Sequence, residues 1–299
     1  MRPVFDWNIG SRSLPLGKRT LVMGIVNVTP DSFSDGGQFL DPGKAVSHAI
    51  QLLNDGADII DVGGESTRPG ASVAGSAANK KADAVSAVSE KEELERVLPV
   101  IQELKQQRPN AVISIDTYKA NVARAAVTAG AEIVNDVSAF RWDPAMASTV
   151  AELKCGAVLM HMRGRPEEWR TLEPVSDIVV LVKRELREWS DKTLLAGVKR
   201  ERMVLDPGFG FGKNFEQNYP MLRRFDEFHQ LRYPLLAGVS RKSFVGRMLS
   251  RNGQDAAVDQ RLYGTLAAEA VVILKGAHIV RTHDVRASVE AARAADVVA

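Results

Sequence analysis

Two short clusters near the end of the chain carry basic chemistry. Ser240-Arg241-Lys242-Ser243 sets two cations side by side, and Arg281-Thr282-His283 sets a guanidinium and an imidazole two residues apart. Residues i and i+2 of a strand point to the same side, so Arg281 and His283 act together if that segment is extended. Arginine grips a phosphate through two parallel N–H bonds, and lysine serves as a point charge. The alternative is two separate structural salt bridges. A second, acidic set is spread through the middle of the chain: Asp116, Asn135 and Asp206 each close a short apolar run. Two carboxylates and an amide suit a flat heterocycle with several N–H donors, such as an aminopyrimidinone edge. The same three could instead form a scaffold network, since buried polar groups are nearly always hydrogen-bonded.

Three loops add to this. Asn27-Val28-Thr29-Pro30-Asp31-Ser32-Phe33-Ser34-Asp35-Gly36-Gly37 is polar around one aromatic. It reads either as a surface loop with a buried Phe33 or as a lid whose Phe33 stacks on a flat substrate. Glu65-Ser66-Thr67-Arg68-Pro69-Gly70 puts an arginine in a Pro-Gly turn, where it is either solvated or aimed at the same rim. Asp206-Pro207-Gly208-Phe209-Gly210-Phe211-Gly212-Lys213 tempts a phosphate-loop reading, but Asn214 follows the Gly-Lys and the glycine spacing is not that of a dinucleotide fold. Its glycines are expected to let the backbone approach a bound ring, with Phe211 as an apolar wall. No nucleophile–base pair stands out, and no His/Asp/Glu set has tight metal-site spacing. The chemistry is therefore one of positioning and electrostatics. His48, His229 and His278 receive no role; His161 is placed behind the site.

These residues need a scaffold that gathers them. Eight apolar runs recur, at 21–26, 59–62, 112–115, 133–134, 157–160, 203–205, 235–239 and 279–280, with helix-like segments between most of them. Continuous apolar runs alternating with helices indicate buried parallel strands in an α/β fold. A Gly-Ala-x-aliphatic unit repeats at Gly56, Gly130, Gly156 and Gly276. Each glycine is expected to close a helix in the left-handed conformation. Such repetition favours a closed (β/α)8 TIM barrel, a single domain over 1–299, above a doubly wound sheet. Active sites of such barrels sit at the C-terminal ends of the strands. Those ends carry Asn27, Glu65, Asp116, Asn135, His161, Asp206, Lys242, Arg281 and His283, and ring closure puts them on one rim. The Ala/Ser/Lys-rich stretch at about 71–88 reads as a mobile insertion. Ser89 and Glu92 then form a capping box, and Pro99 predicts a kink or break in the helix that follows.

Bulk properties exclude several classes. The 299 residues are 45% hydrophobic and 25% charged, with a net charge of +2 at pH 7, so there is no clustered basic case for nucleic acid. The single cysteine, Cys155, excludes an internal disulfide and a cysteine zinc cluster, and fits a cytoplasmic setting. Residues 1–18 lack the apolar core of a signal peptide, and no run is long enough for a membrane span.

The motifs from Gly24 to Gly37, from Asp61 to Gly70 and from Asp206 to Lys213, with Ser240-Arg241-Lys242 and Arg281-x-His283, resemble dihydropteroate synthase in order along nearly the whole chain. The resemblance implies a (β/α)8 barrel, usually a homodimer. It implies condensation of 6-hydroxymethyl-7,8-dihydropterin diphosphate with 4-aminobenzoate, releasing pyrophosphate, in folate biosynthesis. Carried over by motif, Asp116, Asn135, Met160, Asp206, Phe211, Gly238 and Lys242 would hold the pterin. Asn27, Arg281 and His283 would hold the diphosphate, with Mg2+ at Asn27. Phe33, Thr67, Arg68, Pro69 and Ser243 would shape the aminobenzoate pocket, where sulfonamides compete. Asp116, Lys242, Arg281 and His283 would be the catalytic set. One departure is the roughly dozen extra residues in 72–88. Rival readings are a pterin-dependent methyltransferase, which has no need of a diphosphate clamp, and a non-catalytic pterin-binding paralogue. An aldolase-type barrel would want a Schiff-base lysine and leaves the Asp116, Asn135, Asp206 set unexplained.

Overall fold

The computed structural model describes residues 2–29, 42–66, 88–169 and 171–299. An antiparallel hairpin opens the chain, β1 (Phe5–Asn8) and β2 (Ser13–Leu16). Eight parallel strands follow: β3 (Leu21–Asn27), β4 (Ile59–Gly63), β5 (Val112–Asp116), β6 (Ile133–Asp136), β7 (Gly156–Met160), β8 (Met203–Asp206), β9 (Leu236–Ala237) and β10 (Ile279–Thr282). Helices alternate with them: α1 (Pro42–Asn54), α2 (Glu90–Gln107), α3 (Ala120–Thr128), α4 (Met146–Leu153), α5 (Ile178–Leu195), α6 (Phe215–Arg223), α7 (Ser243–Met248), α8 (Leu262–Leu274) and α9 (Val285–Val298). The sheet order is β8-β7-β6-β5-β4-β3-β10-β9, and a parallel bridge from Leu205 to Leu235 joins its two ends. The ring is closed, and each of the eight apolar runs is a barrel strand.

Side chains of a strand alternate between its two faces, which splits each run into two jobs. Val22, Val26, Ile60, Val62, Ile113, Ile115, Val134, Leu159, Leu205 and Val280 face outward into the large core shared with the helices. Leu21, Met23, Ile59, Val112, Ile133, Val158, Val204, Leu236 and Ile279 face inward and fill the lower barrel. Two residues further along the inner faces come Asp61, Ser114, Asn135, Met160, Asp206, Gly238 and Arg281. The barrel is therefore dry at its N-terminal end and polar towards its C-terminal end.

The hairpin is a finding that the sequence hid. Trp7, Ile9 and Leu16 are fully enclosed and belong to the lower barrel cluster, so the hairpin plugs the floor. Trp7 Nε1 donates to Arg202 O at 2.8 Å. His278, left without a role above, ties the entry segment down. Its Nδ1 accepts from Leu235 N at 3.0 Å, and its Nε2 meets Pro3 O at 2.9 Å. Burial pushes this imidazole down to about 4, so it stays neutral.

Three of the four repeat glycines are left-handed as expected: Gly56, Gly130 and Gly276 have φ of +101°, +119° and +94°. Gly156 is a correction. It is the first residue of β7, and α4 ends instead on left-handed Lys154. The glycine is needed because a Cβ there would stand 2.7 Å from the Ile9 side chain of the plug. Helix α2 is also unbroken across Pro99. Buried Val97, Val100 and Ile101 hold it against the barrel, which outweighs one lost backbone bond. Only half of the expected capping box forms: Ser89 Oγ accepts from Glu92 N, while the Glu92 carboxylate turns to Arg96.

Candidate active site

The polar end of the barrel opens into a cavity of about 390 Å³. Asn27, Asp116, Phe211, Lys242, Ser243, Arg281 and His283 line it, together with Glu65, Ser240, Trp169 and Arg261. A site of this size suits a small-molecule ligand. Residues from β3, β5, β10 and the loops after β8 and β9 thus meet across separations of more than two hundred positions. Phe33, Thr67, Arg68 and Pro69, and the insertion at 71–87, lie outside the described residues.

Arg281 organises the floor of the cavity. Its Nε donates to Asp61 Oδ2 at 2.6 Å and its Nη2 to Asp116 Oδ2 at 2.7 Å. Asn135 Nδ2 donates to the same Asp61 oxygen at 2.9 Å. Asp61 is fully buried, and its other oxygen has no partner. It is the member of the site that the sequence reading missed. Its place inside the apolar run 59–62, within β4, hides it, because only polar residues at or beyond the ends of the runs read as site candidates. Asn135 thus spends one of its two amide N–H donors on Asp61.

Burial dominates the electrostatics. It pushes Asp116 up to about 7, against the pull of Arg281, while the Asp61, Glu93 and Asp136 charges push the same way as burial. Burial also raises Asp206, with Lys242 the main opposing influence. It pushes Lys242 down to about 7, with Asp206 and Asp116 opposing and Arg281 assisting. Charged forms are disfavoured in a water-poor site, so a neighbouring acid and base approach neutrality together. Lys242 Nζ donates to Phe209 O at 2.5 Å and stands 3.8 Å over the Phe211 ring. Asp206 Oδ1 accepts from Gly208 N at 2.7 Å, and Oδ2 lies 3.8 Å from the Cβ position of Gly238. Met160 clusters with Tyr118 and Met162, against Trp169 and Phe211.

His283 meets Ser240 Oγ through Nδ1 at 3.0 Å. Arg241, one of the anion candidates, lines the cavity but is already paired: left-handed at φ +54°, it bonds Asp284 at 2.8 and 2.5 Å. For this residue the salt-bridge alternative holds. Glu65 lies on the rim but is tied to Lys119 at 2.5 Å, which also pairs with buried Glu93. Tyr118 Oη and Val88 N donate to the same carboxylate, so one acid fastens both edges of the second loop.

Two expectations are corrected. His161 is not behind the site. It projects outward from β7, with Nε2 2.9 Å from Glu185 and its ring stacked on Trp189. In the glycine loop after β8 only Gly210 lines the cavity, while Gly208 and Gly212 are spent on packing. A Cβ at Gly208 would stand 1.9 Å from His161 O, and one at Gly212 would stand 2.1 Å from Arg163 O. The glycines fit the loop against the chain after β7. Buried Lys213 pins it there by donating to His161 O, Gly208 O and Phe211 O at 3.2, 2.7 and 3.0 Å. Phe211 does face the cavity, with Trp169 edge-on at 5.6 Å.

Among the described residues no group of three His, Cys, Asp or Glu side chains gathers as a metal cluster. Asn27 supplies one neutral oxygen donor at the cavity wall. A hard divalent ion that keeps its waters and bridges to substrate oxygens needs no more protein ligands than this.

Comparison with known proteins gives a consistent result. The family model for pterin binding enzymes matches residues 23–283. The dihydropteroate synthase of Clostridium beijerinckii is 41% identical, with 97% of this chain and 98% of that protein covered. The structure of Xanthomonas albilineans dihydropteroate synthase with 4-aminobenzoic acid superposes with a TM-score of 0.84 at 41% identity, covering 100% of this chain and 98% of that one. The Yersinia pestis dihydropteroate synthase, solved in a sulfonamide drug complex, gives 0.85 at 38% identity over 97% and 98%.

Proposed function

The chain belongs to the dihydropteroate synthases, a family of pterin-binding barrel transferases, and from that premise we propose how its own residues perform the reaction. The enzyme condenses 6-hydroxymethyl-7,8-dihydropterin diphosphate with 4-aminobenzoate to give 7,8-dihydropteroate and pyrophosphate. The observation that carries the residue roles is the joining of an acidic and a basic half in one cavity through Arg281.

In this reading Asp206, Asn135 and Lys242 hold the pterin edge, with Met160, Phe211 and Gly238 enclosing the ring. Arg281 and His283 face the diphosphate, with Asn27. Departure of pyrophosphate builds negative charge on its oxygens, and preorganised donors in a water-poor site stabilise that charge strongly. Arg281 keeps N–H groups to offer beyond the two spent on Asp61 and Asp116. Mg2+, held at Asn27, would add further charge neutralisation on the leaving group when bound. The Asp116 carboxylate favours the positive charge left on the methylene and the electron-rich ring. Ser243 and the loop residues Phe33, Thr67, Arg68 and Pro69 orient the aromatic amine. No strong base is required, because the amine proton becomes acidic once the C–N bond forms.

We also take the whole chain, 1–299, as one domain, acting as a cytoplasmic homodimer. Helix α8 supports the dimer. It is apolar on most sides and leaves Tyr263, Val271 and Leu274 exposed, with Met248 of α7 nearby in sequence. Exposed apolar surface of this kind marks an interaction face. Among the described residues no helix is long and apolar enough to cross a membrane. The decisive experiment supplies pterin diphosphate, Mg2+ and 4-aminobenzoate and follows both pyrophosphate and dihydropteroate. Pyrophosphate release that ignores the amine would replace the transferase by a hydrolase.

A further inference from the structure

Lys213 has no part in the mechanism above, yet its surroundings are unusual for a cation. It ends the glycine loop after β8 and is buried, 6% exposed. An ammonium has three N–H donors. All three are spent on backbone carbonyls: His161 O at 3.2 Å, Gly208 O at 2.7 Å and Phe211 O at 3.0 Å. Among the described residues no carboxylate comes within ion-pair distance of it. Charges this deep are ordinarily paired, because burying one alone is costly. Burial and the Lys242 charge push this ammonium well below the usual lysine range, Arg163 assists, and Asp206 and Glu185 oppose. A neutral amine has only two N–H groups, so the third carbonyl contact requires the third proton.

The segment that Lys213 holds does not fix its own shape. Gly208, Gly210 and Gly212 are left-handed, with φ of +69°, +80° and +64°. Glycine loses more conformational freedom on ordering than any other residue, so contacts must impose the path. Two ammoniums supply them in alternation. Gly208 O and Phe211 O turn to Lys213, while Phe209 O between them receives Lys242 Nζ at 2.5 Å. Lys242 lines the cavity and Lys213 is not part of its lining. Asp206 opens this loop, and the Phe211 ring faces the cavity, edge-on to Trp169 at 5.6 Å. His161, whose carbonyl Lys213 also holds, directly follows Met160 at the end of β7. The direct ties beside Lys213 are long: Arg163 N lies 3.5 Å from Phe211 O, and Arg163 Nη1 lies 3.4 Å from Gly212 O. Arg281 spends its bonds elsewhere, on Asp61 and Asp116.

We propose that Lys213 is a positioning residue for ring recognition: as an ammonium it gathers the carbonyls of His161, Gly208 and Phe211, and so holds Met160, Asp206 and Phe211 at the spacing that a flat pterin requires. The proposal rests on the reading that these three residues receive the ring. The cation keeps a costly place because the loop it shapes is part of the site.

The test is calorimetry on the full-length protein with a free pterin and with pyrophosphate. Lys213→Met keeps the side-chain length and removes all three donors. Buried carbonyls left without donors are costly, so the loop should relax, with about a tenfold loss of pterin affinity and at most about a twofold loss for pyrophosphate. In steady-state assays the KM for the pterin diphosphate should rise more than the KM for 4-aminobenzoate. If the methionine variant does not fold, Lys213→Gln, which keeps two N–H donors on a shorter side chain, should show the same split. A pterin loss no larger than the pyrophosphate loss overturns the proposal, because a residue that merely holds the barrel together would weaken both ligands alike. Asp206→Asn separates this failure from failure of the underlying reading: unchanged pterin affinity in that variant would remove the ring reading itself, whereas a weakened one beside a normal Lys213→Met would remove only the role of Lys213.

Discussion

Arg281 and Asp61 lie 220 positions apart in sequence and are joined by a 2.6 Å charge-assisted bond at the floor of the cavity. Asp61 is fully buried and also receives Asn135, so a single carboxylate holds a member of each half of the site. Removing one partner of a buried pair leaves the other charge uncompensated, at a cost of about 3–5 kcal/mol. Asp61→Asn should therefore lower kcat/KM by more than tenfold and loosen both the diphosphate and the pterin. Calorimetry with pyrophosphate and with a free pterin would check this; normal affinity for both would remove Asp61 from the site.

Arg281→Lys separates the clamp from the scaffold. Lysine keeps the charge but cannot bridge two carboxylates while gripping a phosphate through two N–H bonds. The variant should fold, bind free pterin within a few-fold of wild type, and lose at least tenfold in affinity for the diphosphate ester. Equal losses for both ligands would count against a diphosphate role.

Activity should peak near neutral pH and fall on both sides. Asp116 favours the developing cation only when ionised, above about 7, and Lys242 is a cation only below about 7. The productive combination is most populated between the two ionisations, which gives a bell-shaped kcat/KM profile. Lys242→Gln should remove the alkaline limb. A flat profile from pH 6 to 9 would show that neither group titrates in the free enzyme.

The floor plug should matter for stability and not for chemistry. Trp7→Ala removes a fully enclosed indole together with its bond to Arg202 O, a change worth about 3–5 kcal/mol for large aromatics. Denaturant unfolding should register that loss, while KM for both substrates stays near wild type. A changed KM would mean that the floor is coupled to the rim.

Glu269 binds its proton more tightly in the folded state than in the unfolded chain, because its value is raised from about 4.5 to about 7. Its stabilising contribution is thus complete at low pH and is lost as pH rises through that window. By pH 8 the penalty approaches about 3 kcal/mol. Glu269→Leu should flatten this part of the stability curve and raise the melting temperature at pH 8 relative to wild type. A variant that follows the wild-type curve in parallel would place the acid in a solvated setting.

The sequence by itself determined the barrel and the identities of the groups on its rim. Period-2 alternation within eight apolar runs commits every second residue to the inner face, so Asn27, Asp116, Asp206, Arg281 and His283 follow from local pattern once the runs are counted as strands. What only the tertiary structure decided is which of these polar groups spend their bonds on each other. Arg241 belongs to Asp284, Glu65 to Lys119, and Asn135 to Asp61. The plug was hidden because its strands are only four residues long and interrupted by Pro15 and charges, and it is stabilised by the barrel floor rather than by its own pattern. The glycine loop misled for a related reason. A glycine in sequence reports that something comes close, and only the folded chain shows that it is the carbonyls of His161 and Arg163. Strand periodicity is a property of neighbouring residues, whereas partner choice and close approach arise between segments that meet only when the ring closes.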